Sequence, residues 1–211
     1  QSWQFEAAVE RHFWGKGALL VSVLHEEIKD WRDYIPIGGG LDAPGNVDRA
    51  TSDKLWIRGT IPLDVLGLKN GLFKPNLYWQ TSDLIDPVTG EHRRVSGQRN
   101  ISSYYTISQD LEDWKSTWSI NWGTAFSNTN WRIAQIQRSS IHNSPYINFY
   151  WTYTPRPDLV LNFGAENFVP YRFQQQQYNF SAPRDVAGPP TVQDVRIRTT
   201  PRFYFNIRKT L

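Results

Sequence analysis

Apolar and polar residues alternate along most of this chain, most cleanly at its end. Val195, Ile197, Thr199, Pro201, Phe203, Phe205, Ile207, Lys209 and Leu211 share one parity, while Arg196, Arg198, Thr200, Arg202, Tyr204, Asn206, Arg208 and Thr210 share the other. Successive side chains of a strand point to opposite faces. The pattern therefore predicts one long strand, Val195 to Leu211, with an oily face and a face bearing four arginines. Such a strand suits a membrane barrel, whose outside meets lipid and whose inside meets water.

The rest of the chain reads the same way. Ser2 to Trp14 sets Trp3, Phe5, Ala7, Val9 and Phe13 against Gln4, Glu6, Ala8, Glu10 and His12. Arg11 breaks the oily parity, but beside the Trp14-Gly15-Lys16-Gly17 turn, where a charge costs little. A returning strand is expected from Ala18 to about Trp31, then a long loop through Gly38-Gly39-Gly40 and Pro44-Gly45. Thr51 to Leu66 follows, and Lys69-Asn70-Gly71 supplies a tight turn, since Asn-Gly readily adopts positive φ. Leu72 to Asp83 leads into a second loop, Asp86-Pro87-Val88-Thr89-Gly90 to Gly97. Further strands are expected at Asn100 to Gln109, Lys115 to about Gln137, Tyr146 to Thr154 and Leu159 to Phe168, the last running on through Gln174 to Gln177. The loop Ser181 to Asp194 precedes the final strand.

About nine strands of roughly ten residues result, long enough to cross a bilayer core when tilted by ~45°. Connections alternate between tight turns, at Gly15, Asn70, Leu111 and Arg156, and long polar loops, the asymmetry of periplasmic turns and external loops. The fold class expected is all-β, an antiparallel up-and-down transmembrane β-barrel in which residues 1–211 form a single segment. Nine is odd, single-chain bacterial barrels have even counts, and an open sheet leaves bare edges. The chain is accordingly expected to be about nine strands of a larger barrel, without that barrel's N-terminal strands.

Composition agrees with strands rather than spanning helices. There are Trp 10, Tyr 10 and Phe 11 in 211 residues, yet mean hydropathy is -0.55. The longest apolar run, near Gly17 to Leu24, is far below the ~20 residues a spanning helix needs. Cysteine is absent, which removes disulfides, thiolate metal sites and cysteine nucleophiles. A net charge of +3 spread over strands and loops gives no basic stripe for nucleic acid. His12, His25, His92 and His142 lack ligand spacing, and no phosphate loop or nucleophile elbow is present, so neither metal, cofactor nor enzymatic activity is expected.

Several stretches resemble the TonB-dependent outer-membrane receptors, in particular their carboxy-terminal barrel half. They are Asp42-Ala43-Pro44-Gly45-Asn46, Asp86-Pro87-Val88-Thr89-Gly90-Glu91, Pro155-Arg156-Pro157-Asp158-Leu159 running to Ala165-Glu166-Asn167-Phe168, and Arg208-Lys209-Thr210-Leu211. The resemblance implies a barrel of 22 strands around an N-terminal plug, importing scarce nutrients with energy from the inner membrane. No plug or energy-coupling box occurs in these residues, so a TonB-type energiser would be engaged only through the absent plug. Leu211 stands where barrel-assembly signals prefer an aromatic.

The resemblance implies a bacterial outer-membrane location. Its partners would be outer-membrane lipid, the remaining strands and plug, and the barrel-assembly machinery through the last strand. Ligand contact is expected in the loops Ile35 to Ala50, Leu84 to Gly97 and Ser181 to Asp194, with Trp31, Tyr34, Asp42, Glu91, His92, Arg93, Arg184 and Asp185 as candidates. The basic row Arg196, Arg198, Arg202 and Arg208 is expected to face the lumen, where it either draws in anionic solutes or balances acids. Outward tryptophans read as interfacial anchors. Two alternatives use the same alternation: a complete small outer-membrane barrel with a structural or adhesive role, and a soluble lipocalin-like binding barrel with its apolar parity turned inward.

Overall fold

The computed structural model describes residues 1–142 and 146–210. Leu211, assigned above to the oily face, and the side chain of His142 lie outside the described residues. In chain order the strands are β1 (Ser2–Phe13), β2 (Gly17–Gly38), β3 (Leu41–Pro62), β4 (Gly71–Ile85), β5 (His92–Arg93), β6 (Ile101–Leu111) and β7 (Ser116–Gly123). They continue with β8 (Ser127–Arg132), β9 (Gln135–His142), β10 (Ile147–Arg156), β11 (Leu159–Glu166), β12 (Arg172–Asn179), β13 (Thr191–Arg198) and β14 (Arg202–Lys209). Two short 3-10 turns, Asp64–Leu66 and Glu112–Trp114, are the only helical pieces among the described residues.

All pairings are antiparallel. The larger sheet runs β1-β2-β3-β4-β6-β7-β10-β11-β14 with β5 beside β4, and the smaller runs β13-β12-β9-β8. Each strand of the smaller sheet adjoins one of the larger along the chain, in the same order. The molecule is thus an all-β meander of long hairpins, with a break across four of its crossings. Neither sheet closes: β1 and β14 end the larger path.

Local chemistry sets the turns. Asn70 has φ 57° at the tight turn where Asn-Gly predicts it, and Gly15 has φ 73° between β1 and β2. Three expectations need correction. The final strand is two, β13 and β14, because Pro201 has no N–H to give a ladder. The chain stays tied there, as the Thr199 N–H donates to the Tyr171 carbonyl at 3.0 Å and the Tyr171 N–H to Thr199 Oγ1 at 3.0 Å. The expected strand Lys115 to Gln137 instead turns back at Ile133-Ala134, where the Ile133 N–H donates to the Asp42 carboxylate at 2.8 Å. A distant side chain holds that turn, so no glycine or asparagine marks it.

The third correction concerns the expected loop Ile35 to Ala50, which is a hairpin arm of β2 and β3. Its register runs through Tyr34↔Pro44 and Ile35↔Ala43, ending at the positive-φ residues Gly38, Gly39 and Gly40. The β3–β4 pairing stops at Ala50↔Leu84. Beyond it β3 has one neighbour, and Pro44 can sit on the free side without costing a hydrogen bond.

Register places the oily residues of successive strands side by side. Ile61, Phe73, Ile107, Ile120, Phe149, Ala165 and Phe203 form one row of direct cross-strand partners. Trp118, Trp151, Phe163 and Phe205 form another. Aromatic rings also stack on this face, Tyr105 on its cross-strand partner Trp122 at 5.4 Å and Trp151 on Tyr153 of the same strand at 5.8 Å between centroids. The intervening rows are largely polar, as in Thr117, Thr152, Asn162 and Asn206. Hydrogen bonds link them laterally: Thr106 Oγ1 donates to Asn121 at 2.7 Å, Thr152 Oγ1 to Asn162 at 2.9 Å, and Lys54 Nζ to Glu26 at 3.1 Å.

Much of the apolar face is exposed. Among the described residues the buried hydrophobic ones are Val47, Ala50, Leu84, Val95, Ile133 and Ala165, of which only Ala165 lies in the rows above. Phe5 is 70% exposed, Phe205 57% and Ile207 65%. Apolar residues also tip three tight turns, at Trp14, at Val65 and Leu66, and at Trp114, all exposed.

Candidate functional site

The small core lies at the long-loop end. Ala50 of β3 and Leu84 of β4 are direct partners there, Val95 from the segment after β5 joins them, and Trp31 of β2 packs against this cluster. Around this core the loops are fastened by ions.

Asp86 is the centre. It begins a turn in which its own carboxylate accepts the Val88 N–H at 2.8 Å and the Thr89 N–H at 3.3 Å. This is the Asx-type turn for which an Asp-Pro-x-x-Gly sequence is built. The same carboxylate accepts Arg93 Nε at 2.6 Å and two hydrogen bonds from Arg184 Nη2, at 2.7 and 2.9 Å. Arg93 extends the network by donating from Nη1 to Asp33 at 3.1 Å. Arg184 donates from Nε to the Arg132 carbonyl at 2.7 Å. Arg132 clasps Asp42 with two donors, Nε at 2.9 Å and Nη2 at 2.5 Å, and stacks its guanidinium 3.7 Å from the Tyr34 ring centroid. The guanidinium carbons of Arg93 and Arg184 lie 5.5 and 5.4 Å from the centre of the Trp131 ring.

Three aspartates thus answer three arginines drawn from the β2–β3 arm, the 86–94 segment, the β8–β9 hairpin and the loop before β13. The side chains of Asp33, Asp86, Arg93 and Arg184 are almost wholly buried. Burial pushes the Asp86 carboxyl up, but the Val88 N–H and the two guanidiniums outweigh it and hold the group below its ordinary range. Hydrogen bonds from Arg132 lower the Asp42 carboxyl in the same direction. Buried charges persist only when matched and hydrogen-bonded, and here they are, so the clasp itself is a fastening rather than an open site.

Of the eight loop residues predicted from sequence, Tyr34, Asp42, Arg93 and Arg184 belong to the clasp and Trp31 to the core beneath it. Glu91 contributes its carbonyl, which accepts the Asp86 N–H at 2.8 Å, and His92 is exposed with Nδ1 2.7 Å from Asp83. Asp185 is exposed and stands apart. The basic row does not join them. Arg196 bonds Asp194 on its own strand at 2.7 Å and Arg202 lies 3.8 Å from Glu166, while Arg198 and Arg208 stand opposite Arg172 and Val160. Sequence reasoning placed Asp86 only in a loop and missed it as a site residue along with Asp33, Trp131 and Arg132, since these residues have partners tens of residues away that leave no local signal. Among the described residues no three His, Asp or Glu side chains gather as a metal site would need.

A cavity of about 300 Å³ lies beside the clasp, between the 92–98 segment and the β8–β9 hairpin. His92, Arg94, Trp131 and Arg138 are among its walls. No protein-family model, curated protein or solved structure matches the chain.

Proposed function

We propose that this chain is a wall segment of an outer-membrane β-barrel of the receptor type, with its clasped loops forming part of the outer mouth where solute is met. The carrying observation is the seven-residue apolar row of cross-strand partners from Ile61 to Phe203, on the face where Phe203, Phe205 and Ile207 are exposed. Contiguous apolar surface on this scale requires a partner, and lipid fits a face that alternates with largely polar rows. The turn tips Trp14 and Trp114 suit the membrane interface, where amphipathic indoles settle. The free edges of β1 and β14 favour a place within a larger closed wall over a complete small barrel, since bare edges are not tolerated in lipid. A lipocalin-like reading asks for Phe203, Phe205 and Ile207 inside, and all three are exposed.

The absence of cysteine makes the test direct. Single cysteines carrying spin labels at Leu77, Phe149 and Phe205, and at Asn76, Asn148 and Asn206, are introduced into the full chain in its membrane. The first three are expected to relax with oxygen and the second three with a water-soluble nickel chelate. The reverse pattern, or chelate access to both sets, rejects the membrane reading.

A further inference from the structure

The two edges of the larger sheet are bare, and they are not alike. Among the described residues β1 pairs only with β2 and β14 only with β11, and both ladders run without a bulge. Each edge therefore offers a regular row of N–H and C=O groups to a strand laid beside it. Both also carry the oily pattern to the margin, with Phe5 and Val9 of β1 and Phe203 and Ile207 of β14 exposed.

Their charges are opposite. Cross-strand register, followed from β1 to β14, puts Glu6 and Glu10 on the face that carries Arg202 and Arg208. Glu6 accepts the Ser22 hydroxyl at 2.6 Å and Glu10 lies 3.0 Å from His12, and neither has a lysine or arginine partner among the described residues. Arg202 is 3.8 Å from Glu166, while Arg208, opposite Val160, has no carboxylate partner among the described residues. One edge thus lacks cations and the other lacks anions.

Charge decides which edges can meet. Two copies joined through β1 alone gather the glutamates of both along one seam, and joined through β14 alone they gather the arginines; like charges opposite one another destabilise a sheet. Placing β1 of one copy beside β14 of the next sets acid beside arginine and keeps the oily residues on one face. The two strands are the first and last on a path of nine successively antiparallel neighbours, so they run in the same direction. Copies of like orientation therefore meet as a parallel pair. Such a pair cannot be a hairpin, but strands of separate chains need no connection. We propose that copies of this chain join edge to edge, β1 of one beside β14 of the next, so that the larger wall is built from repeats of the chain. The contact is heterologous and closes a ring when the curvature of the copies allows. This rests on the reading of the chain as part of a larger wall and names its neighbour.

Cross-linking tests it, since the chain has no cysteine of its own. Full chains carrying Ala8→Cys are co-folded in detergent micelles with full chains carrying Asn206→Cys and treated with a short bismaleimide. Both positions are exposed, Ala8 between the two glutamates and Asn206 between the two arginines. A cross-linked heterodimer is expected. Glu6→Lys with Glu10→Lys on the first chain should abolish it, and adding Arg202→Glu with Arg208→Glu on the second should bring it back, which random collision would not do. No heterodimer, a heterodimer indifferent to charge reversal, reversal without rescue, dimers of the Ala8→Cys chain alone, or a link within one chain bearing both cysteines overturns the proposal. Spin labels report the surroundings of one copy and the cross-link reports its neighbour, so lipid contact and self-association fail separately.

Discussion

The wall of the molecule and its loop end hold themselves together by opposite means. In the wall, β1 to β4 with β6, β7, β10, β11 and β14, backbone ladders do the joining. At the loop end, side chains do it: a small apolar core is roofed by Asp33, Asp86, Arg93 and Arg184, almost wholly withdrawn from water. A ladder needs only backbone, so the wall's side chains are free to match whatever solvent lies on each side. Loops have no ladder and must find contacts of higher specificity, and the ion network supplies them. The same sheet can therefore be generic along its length and particular at one end.

The largest expected effect breaks the loop end alone. Asp86→Asn leaves Arg93 and Arg184 buried with their shared anion gone, and removing one member of a buried ionic set typically costs about 3–5 kcal/mol. Hydrogen exchange should show amides of 86–90 and Ile133 losing protection while the β10–β11 ladder keeps its own. Acid should act on the same parts. The Asp42 and Asp86 carboxyls sit below the ordinary 3.8, so their contribution is present above that value and is lost as pH falls through their lower folded pKa values. Uniform loss across wall and loops would erase the contrast between the two regions.

A change of comparable kind in the wall depends on which face it strikes. Phe205→Arg puts a charge into the row Trp118, Trp151, Phe163, and against lipid that costs about 2–4 kcal/mol near the midplane. Asn206→Arg, one residue on, faces the polar side and should cost little. Urea unfolding from lipid vesicles measures both. Equal costs would mean that the two faces share one solvent and that the proposed orientation is wrong.

Alternation made the wall legible because a strand's period depends only on local geometry. Trp118 and Phe205 take their faces from parity whatever their neighbours are. Lys69-Asn70-Gly71 was legible as a turn for a similar reason: its conformation is chosen by the residues themselves. What sequence could not reveal was decided at a distance. Ile133-Ala134 turns because Asp42, some ninety residues earlier, holds the Ile133 N–H. The arm from Ile35 to Ala50 reads as a loop since glycine and proline crowd it, yet it pairs because β2 continues alongside. Within the site, Tyr34, Asp42, Arg93 and Arg184 were recognisable as polar or aromatic residues in the right places. Their assembly around Asp86 was not, as no spacing encodes a contact across 98 residues.

The smallest expected effect sharpens the contrast most, because it keeps the chemistry and changes only the surroundings. Arg202 and Glu166 are an arginine and a carboxylate, like Arg184 and Asp86, but they lie 3.8 Å apart with the arginine side chain 74% exposed. In water the pair gains little Coulomb energy and must still order two long side chains, so Arg202→Gln should change stability by about 0–1 kcal/mol. Urea unfolding of this variant beside Asp86→Asn compares one interaction type in two settings. A cost for Arg202→Gln approaching that of the clasp would mean that the polar face is drier than an open sheet allows, and that further protein covers Arg202 in the native assembly.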